Sequence, residues 1–284
     1  MLALINLFFF INIFFLTCNQ HGCLAQRRHI FIYSGCSQER YQPNTPYETN
    51  LNSLLSSIVA SSSQTLYNLF AFGNSTGEPP DSAVYGLYQC RGDLKPKDCS
   101  TCISSLISQI ALLCPYTSGA SLQLDGCFVR YEETDFLGRL DDSLRYKKCS
   151  AGGGGDRDFL RRRDGVLAGL QGEATSAGFG VSAAGAVEGY AQCLGDLAAA
   201  DCAACLGEAV VEVKSLCGTA AAGDVFLAQC YVRYWESGYY DDSSSSDSTN
   251  QDNVGRTVAI IVGVVVGVAV LIILLSFCKN TLCK

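Results

Sequence analysis

Gln89 to Cys102 reads QCRGDLKPKDCSTC, and Gln192 to Cys205 reads QCLGDLAAADCAAC. Both stretches place C-x8-C-x2-C behind a glutamine, with Gly-Asp-Leu after the first cysteine, and they stand 103 positions apart. The same step carries Cys90, Cys99, Cys102, Cys114 and Cys127 onto Cys193, Cys202, Cys205, Cys217 and Cys230. Flanking segments repeat as well: AVYGLYQC (83–90) against AVEGYAQC (186–193), and CFVRY (127–131) against CYVRY (230–234). Self-similarity at a fixed period is the mark of an internal duplication.

A C-x2-C pair can be half of a zinc site, but such a site wants four ligands, and neither copy offers a second close pair. A redox pair at a helix start is the second reading, since that position lowers a thiol pKa. Six cysteines per repeat give no reason to single out two, so the favoured reading is a structural disulfide staple. Cys36 and Cys149 supply the opening cysteine of each repeat. Six cysteines allow 15 pairings, and spacing alone does not choose among them. Hydrolytic catalysis lacks a partner base, because His29, ahead of the first repeat, is the only histidine past the leader. The adjacent carboxylates Glu132/Glu133, Asp141/Asp142 and Asp241/Asp242 read as solvated faces or loops.

The ends place the repeats in a compartment. Residues 1–25 open with LALINLFFFINIFFL and close on Cys-Leu-Ala, the outline of a secretory signal peptide. Val258 to Phe277 runs without a charge, long enough at about 1.5 Å per residue to cross a membrane. Lys279 and Lys284 lie beyond it, as the positive-inside tendency expects of a cytosolic tail, 278–284. This predicts a single-pass type I protein of the plasma membrane. Its first cysteine-rich domain covers 26–136, the second 137–240, and an acidic Ser-rich stalk 241–257. Of 16 cysteines, twelve then face the oxidising side, an even number that suits disulfides. The net charge of −7 argues against nucleic acid as a partner, and nothing in the residues calls for a cofactor or metal. Asn74 opens an Asn-Ser-Thr glycosylation sequon. Gly263 and Gly267 form a G-x-x-x-G face for packing of two spans, and Cys278 and Cys283 stand where palmitoylation occurs.

Within repeat one, Leu51, Leu54, Leu55, Ile58 and Val59 follow a helical period, as do Ile103, Leu106, Ile107 and Ile110. Asp98 stands where an N-cap would, which puts Cys99 and Cys102 one turn apart. Repeat two matches with Phe159, Leu160, Val166, Leu167 and Leu170, then Leu206, Ala209, Val210 and Val213. FIYSG (31–35), SLQLDGCFVRYEE (121–133) and DVFLAQCYVRYWE (224–236) carry strand-favouring residues. Each repeat is thus expected to be α+β, two helices on an antiparallel sheet.

The C-x8-C-x2-C core, the opening Cys-Ser, the later C-x12-C and the C-[FY]-V-R-Y ending resemble the plant cysteine-rich domain related to the antifungal protein ginkbilobin. Two copies with one span and a minimal tail resemble the plasmodesmata-located proteins, membrane proteins of the channels between plant cells. The resemblance implies bridges Cys36–Cys114, Cys90–Cys99 and Cys102–Cys127, then Cys149–Cys217, Cys193–Cys202 and Cys205–Cys230. It also implies a non-enzymatic role in cell-to-cell trafficking, callose deposition and defence signalling. The implied partners are related membrane proteins, receptor kinases, viral movement proteins or cell-wall glycan. Ginkbilobin binds mannose through an Asn, an Arg and a Glu. The matching positions here are Ser37, Ser121 and Glu132 in repeat one, and Ser150, Asp224 and Trp235 in repeat two. Only Glu132 is kept, and the residues by themselves give it an ordinary polar role. A cell-surface lectin-like module is the alternative reading of the chain.

Overall fold

A computed structural model describes residues 29–79, 81–151 and 156–239. Repeat one runs β1 (Phe31–Cys36), α1 (Pro46–Ser62), β2 (Tyr67–Phe72), β3 (Val84–Cys90), α2 (Pro96–Leu113), β4 (Ala120–Leu124) and β5 (Cys127–Glu132). Repeat two follows the same order with β6 (Leu144–Cys149), α3 (Arg157–Ala177), β7 (Phe179–Ala184), β8 (Val187–Cys193), α4 (Ala199–Cys217), β9 (Ala222–Leu227) and β10 (Cys230–Glu236). Each repeat folds its strands into one five-stranded sheet, ordered β1-β4-β5-β3-β2 and β6-β9-β10-β8-β7.

Local chemistry sets the helix starts. Thr45 caps α1, with Pro46 as its first residue, and the Glu48 carboxylate accepts from Asn44 N at 2.7 Å. Asp156 caps α3 by accepting from Asp158 N and Phe159 N at 3.0 and 2.9 Å, and Gly178 ends it at φ 81°. For α2 the expected cap at Asp98 is wrong. Pro96 has a fixed φ suited to the first helical position and starts the helix earlier, with Lys95 ahead of it making no side-chain cap bond. Asp98 instead sits in the first turn, where its charge suits the helix dipole.

The helices of each repeat cover one sheet face. In repeat one, Leu54 and Ile58 of α1 and Ile103, Leu106 and Ile110 of α2 meet Tyr88, Leu122, Val129 and Tyr131 of the sheet. Repeat two builds a matching core from Leu167, Leu170, Leu206, Val213, Val225, Val232 and Tyr234. The bridges are Cys36–Cys114, Cys90–Cys99 and Cys102–Cys127, with Cys149–Cys217, Cys193–Cys202 and Cys205–Cys230 in the second copy. Cys90, Cys99, Cys102 and Cys205 have no exposed surface, so the repeated motif is a buried staple between a strand end and a helix.

Each sheet's other face packs against the other repeat, and the two repeats form one compact unit that ends at Trp235. A third core joins Ile32, Tyr33, Leu87 and Phe128 of repeat one to Leu194 and Phe226 of repeat two, with Phe136 of the connecting segment. Tyr33 stacks on Tyr146 at 6.4 Å, and Phe226 on Tyr231 at 4.8 Å. Charged Arg145, Lys147 and Lys148 line the edge strand β6, a device that discourages edge-to-edge pairing.

The QC-x-GDL motif has a second use here that its spacing did not suggest. Gly195 N donates to Gln89 Oε1 at 3.0 Å, and Gln192 Nε2 donates to the Cys90 carbonyl at 3.0 Å. A Cβ on Gly92 would lie 2.5 Å from Phe179 Cβ, and one on Gly195 would lie 2.8 Å from Tyr67 Cδ1. Phe179 and Tyr67 hold equivalent places, paired with Gln192 and Gln89. The motif therefore meets its own copy's repeat through a reciprocal ring-on-glycine contact. Gly92→Ala is expected to destabilise the chain by about 1–3 kcal/mol through overpacking, despite the gain of about 0.4–1 kcal/mol that losing a glycine's freedom brings elsewhere. In a Phe179→Gly background, which removes the Cβ as well as the ring, that penalty should nearly vanish; urea unfolding of the four members of this double-mutant cycle measures it.

Candidate functional site

Two places in the sheet-to-sheet interface hold charged side chains, and they are equivalent by the internal repeat. At the first, Arg233 of β10 lies across from Asp224 of β9, donating Nε and Nη2 to its carboxylate at 2.8 and 3.0 Å. Arg233 Nη1 also donates to Asp125, which repeat one contributes from the turn between β4 and β5. Arg91 adds a second guanidinium to Asp125 at 2.7 Å and holds Asp93 at 2.7 Å. The Tyr190 hydroxyl donates to Asp125 at 3.3 Å, and both guanidiniums lie near its ring, at 5.1 and 5.3 Å. Trp235 closes the group, 5.5 Å from Tyr190.

Electrostatics here follow from desolvation and pairing. Burial pushes the Asp125 carboxyl up, but the charges of Arg233 and Arg91 and the hydrogen bonds from Arg233 and Tyr190 outweigh it and hold it below its ordinary value. Burial, with Arg233 opposing it, pushes the Tyr190 phenol up to about 12, so it stays a donor. The cluster is a protein-filled lock between the repeats.

At the equivalent place in repeat one, the interface opens into a cleft of about 230 Å³. Arg130 of β5 stands across from Ser121 of β4, as Arg233 stands across from Asp224. Its Nε donates to Glu132 Oε1 at 2.8 Å, Nη2 pairs with the same oxygen at 2.6 Å, and the guanidinium covers the Phe136 ring at 4.2 Å. Asp141, from the connecting segment, pairs with Arg145 of β6 at 2.8 Å and approaches Arg130 at 3.7 Å. Asp141 thus lies in a loop, one of the two settings expected of the adjacent carboxylates, and is ion-paired there. Burial raises its pKa, but hydrogen bonds from Ser143 and the Arg145 charge hold it below the ordinary value.

Ser37, Ser121 and Glu132, the positions matched to a lectin site, all line this one cleft, with Tyr33, Phe128, Arg145 and Ala228. Ser37 Oγ is engaged with Glu39 O and Gly119 N. The Ser121 hydroxyl and the Glu132 Oε2 have no hydrogen-bond partner among the described residues. The matching trio in repeat two is not a cleft: Asp224 and Trp235 belong to the filled cluster, and Ser150 Oγ accepts from Ala222 N at 3.2 Å.

Asn74 lies exposed in the turn between β2 and β3. Gly263, Gly267, Cys278, Cys283 and the apolar segment 258–277 lie outside the described residues; among those described, no helix is long and apolar enough to cross a membrane. Also among the described residues, no group of three or more His, Cys, Asp or Glu is placed to hold a metal ion. Sequence reading missed Asp125, Arg91, Tyr190 and Arg145. The signal for the first was in view: LDGC (124–127) aligns with LAQC (227–230), which sets Asp125 against Ala228.

The family model for salt stress response/antifungal domains matches residues 34–134 and 148–237. Plasmodesmata-located protein 8 of Arabidopsis thaliana is 59% identical over 256 residues, covering 89% of this chain and 90% of its own length. The antimicrobial ginkbilobin-2-like protein of Castanea crenata is 30% identical over 212 residues, covering 72% of this chain and 86% of its own. Among solved structures, the tandem DUF26 ectodomain of the Arabidopsis thaliana cysteine-rich receptor-like protein PDLP8 superposes with a TM-score of 0.70 at 58% identity. It covers 74% of this chain and 100% of that one.

Asp125→Ala takes one carboxylate from two guanidiniums, leaving Arg233 on Asp224 and Arg91 on Asp93, and is expected to cost about 1.5–3 kcal/mol, the worth of a hydrogen bond to a charged group, read by urea unfolding at neutral pH. A carboxyl with a lowered folded pKa contributes fully above its unfolded value of about 4 and loses that contribution as the pH falls through the folded value. The penalty of Asp125→Asn should accordingly be constant above about pH 5 and shrink as the pH drops below about 4.

Proposed function

The chain belongs to the plasmodesmata-located protein family, and on that premise we propose that it is a receptor-like protein of plasmodesmata that binds and does not catalyse. The observation that carries this is the match along nearly the whole chain, and not the domain alone, to a relative named for that location. A type I topology, with the span at 258–277, would leave the two repeats outside the cell and residues 278–284 on the inner side. A signal from the repeats would pass through partners. Self-association through Gly263 and Gly267, or contact with related membrane proteins and receptor kinases, would relay it to trafficking and defence. A fluorescently tagged chain should mark puncta across plant cell walls; an even plasma-membrane signal without puncta would overturn the location.

The cleft supports a second layer to this reading. Its free acceptor at Glu132, hydroxyl at Ser121 and guanidinium donors beside the Tyr33 and Phe128 rings suit a polyhydroxylated ring. A volume of about 230 Å³ fits one such ring better than an extended chain. We read it as a site for one sugar unit. On an array of neutral and acidic glycans, the chain should give a saturable hit that Glu132→Ala weakens about tenfold, the worth of one lost hydrogen bond to a charged group; a silent array would remove the sugar reading.

A further inference from the structure

The two equivalent sites differ by one carboxylate. In the filled cluster, Arg91 and Arg233 face three carboxylates: Asp93, Asp125 and Asp224. In the cleft, Arg130 and Arg145 face two, Glu132 and Asp141. The difference has a location. Asp125 reaches across the interface to Arg233, and the residue equivalent to it by the internal repeat is Ala228, whose side lines the cleft beside Arg130. Asp224, on the strand opposite Arg233, is likewise replaced by Ser121 opposite Arg130. The open volume thus stands where the fold's other copy places a carboxylate carried on its partner repeat.

We propose that the cleft takes a ligand carboxylate in the place left by Ala228, and that the ligand is an acidic sugar unit, a hexuronate. This rests on the reading of the cleft as a sugar site and specifies its class. Asp141 does not fill the vacancy: it comes no nearer to Arg130 than 3.7 Å and is held by Arg145 at 2.8 Å. Glu132 occupies only Nε and Nη2 of Arg130, which leaves Nη1 turned to the weak Asp141 contact. Arg145, half exposed and bound through Nη2 alone, supplies the second cation that Arg91 supplies to Asp125. The remaining walls, the Ser121 hydroxyl, Glu132 Oε2 and the Tyr33 and Phe128 rings, match the hydroxyls and apolar face of a pyranose better than an extended peptide. Because β6 belongs to repeat two, the site is complete only when the repeats are packed together.

The test is calorimetric titration of the full chain in detergent micelles with galacturonate and with galactose, which differ by a carboxylate in place of a hydroxymethyl group. Galacturonate is expected to bind at least about tenfold tighter, the worth of one charge-assisted pair, with the advantage shrinking as salt rises. Ala228→Asp restores the carboxylate seen in the other copy and should abolish galacturonate binding without lowering the melting temperature. Ser121→Asp, which supplies it from the opposite wall, should do the same and stands in if Ala228→Asp does not fold. Equal affinity for the two sugars overturns the carboxylate assignment and leaves the sugar site standing. No binding of either sugar overturns both. Galacturonate binding that survives in folded Ala228→Asp and Ser121→Asp overturns the placement.

Discussion

A sheet with helices on one side has a second side that must be covered, and among the described residues the cover is the other copy of the same sheet. Each repeat spends both of its helices on one face. Tyr33, Phe128, Phe226 and Tyr231 on the remaining faces would be a large exposed aromatic surface if the copies separated. Face-to-face packing therefore decides the rest: which residues are core, which polar groups must find partners across the gap, and where a cleft can open. The disulfides stabilise each repeat internally, and none of them crosses between repeats. The pairing of the two halves rests on rings, glycines and the Asp125 cluster.

Packing two near-copies against each other about an approximate two-fold makes each contact appear twice, and the sequence has treated the two occurrences differently. The ring-on-glycine contact is kept on both sides, as Phe179 on Gly92 and Tyr67 on Gly195. The charged contact is kept on one side only. Where Asp125 and Asp224 fill the interface around Arg233, Ala228 and Ser121 leave room around Arg130. A buried arginine between sheets needs acceptors, and Glu132 and Asp141 serve Arg130 from within its own strand and from the connecting segment. That arrangement satisfies the guanidinium from the side and keeps the space in front of it free.

Much of this was legible in the residues. The period of Leu51, Leu54 and Ile58, and of Ile103, Leu106 and Ile110, marks α1 and α2, because those side chains face one core. The alternation in CFVRY and CYVRY marks β5 and β10. The edge strands β2 and β7 were harder to see, since each is bonded on one side only and buries little. Asp98 misled as a cap because Pro96 sets the first turn on its own. Spacing showed that the QC-x-GDL motif staples, and it hid that the same motif docks, because docking is a property of two copies in space. The candidate site was half visible: Ser37, Ser121 and Glu132 could be placed by likeness, whereas Arg145 and Ala228 join them only through the interface.

The loss of symmetry at the charged contact also fixes a valency. Among the described residues, each chain offers one open cleft of this kind and one that is closed by its own Asp125. On the sugar reading proposed above, a single chain would hold a repeating polymer at one point and would not crosslink two polymers. Several chains gathered along one polymer would gain avidity from proximity with no added contact in any cleft. Density of chains at the surface, and not affinity of the individual site, would then set how sharply such an assembly responds to its ligand.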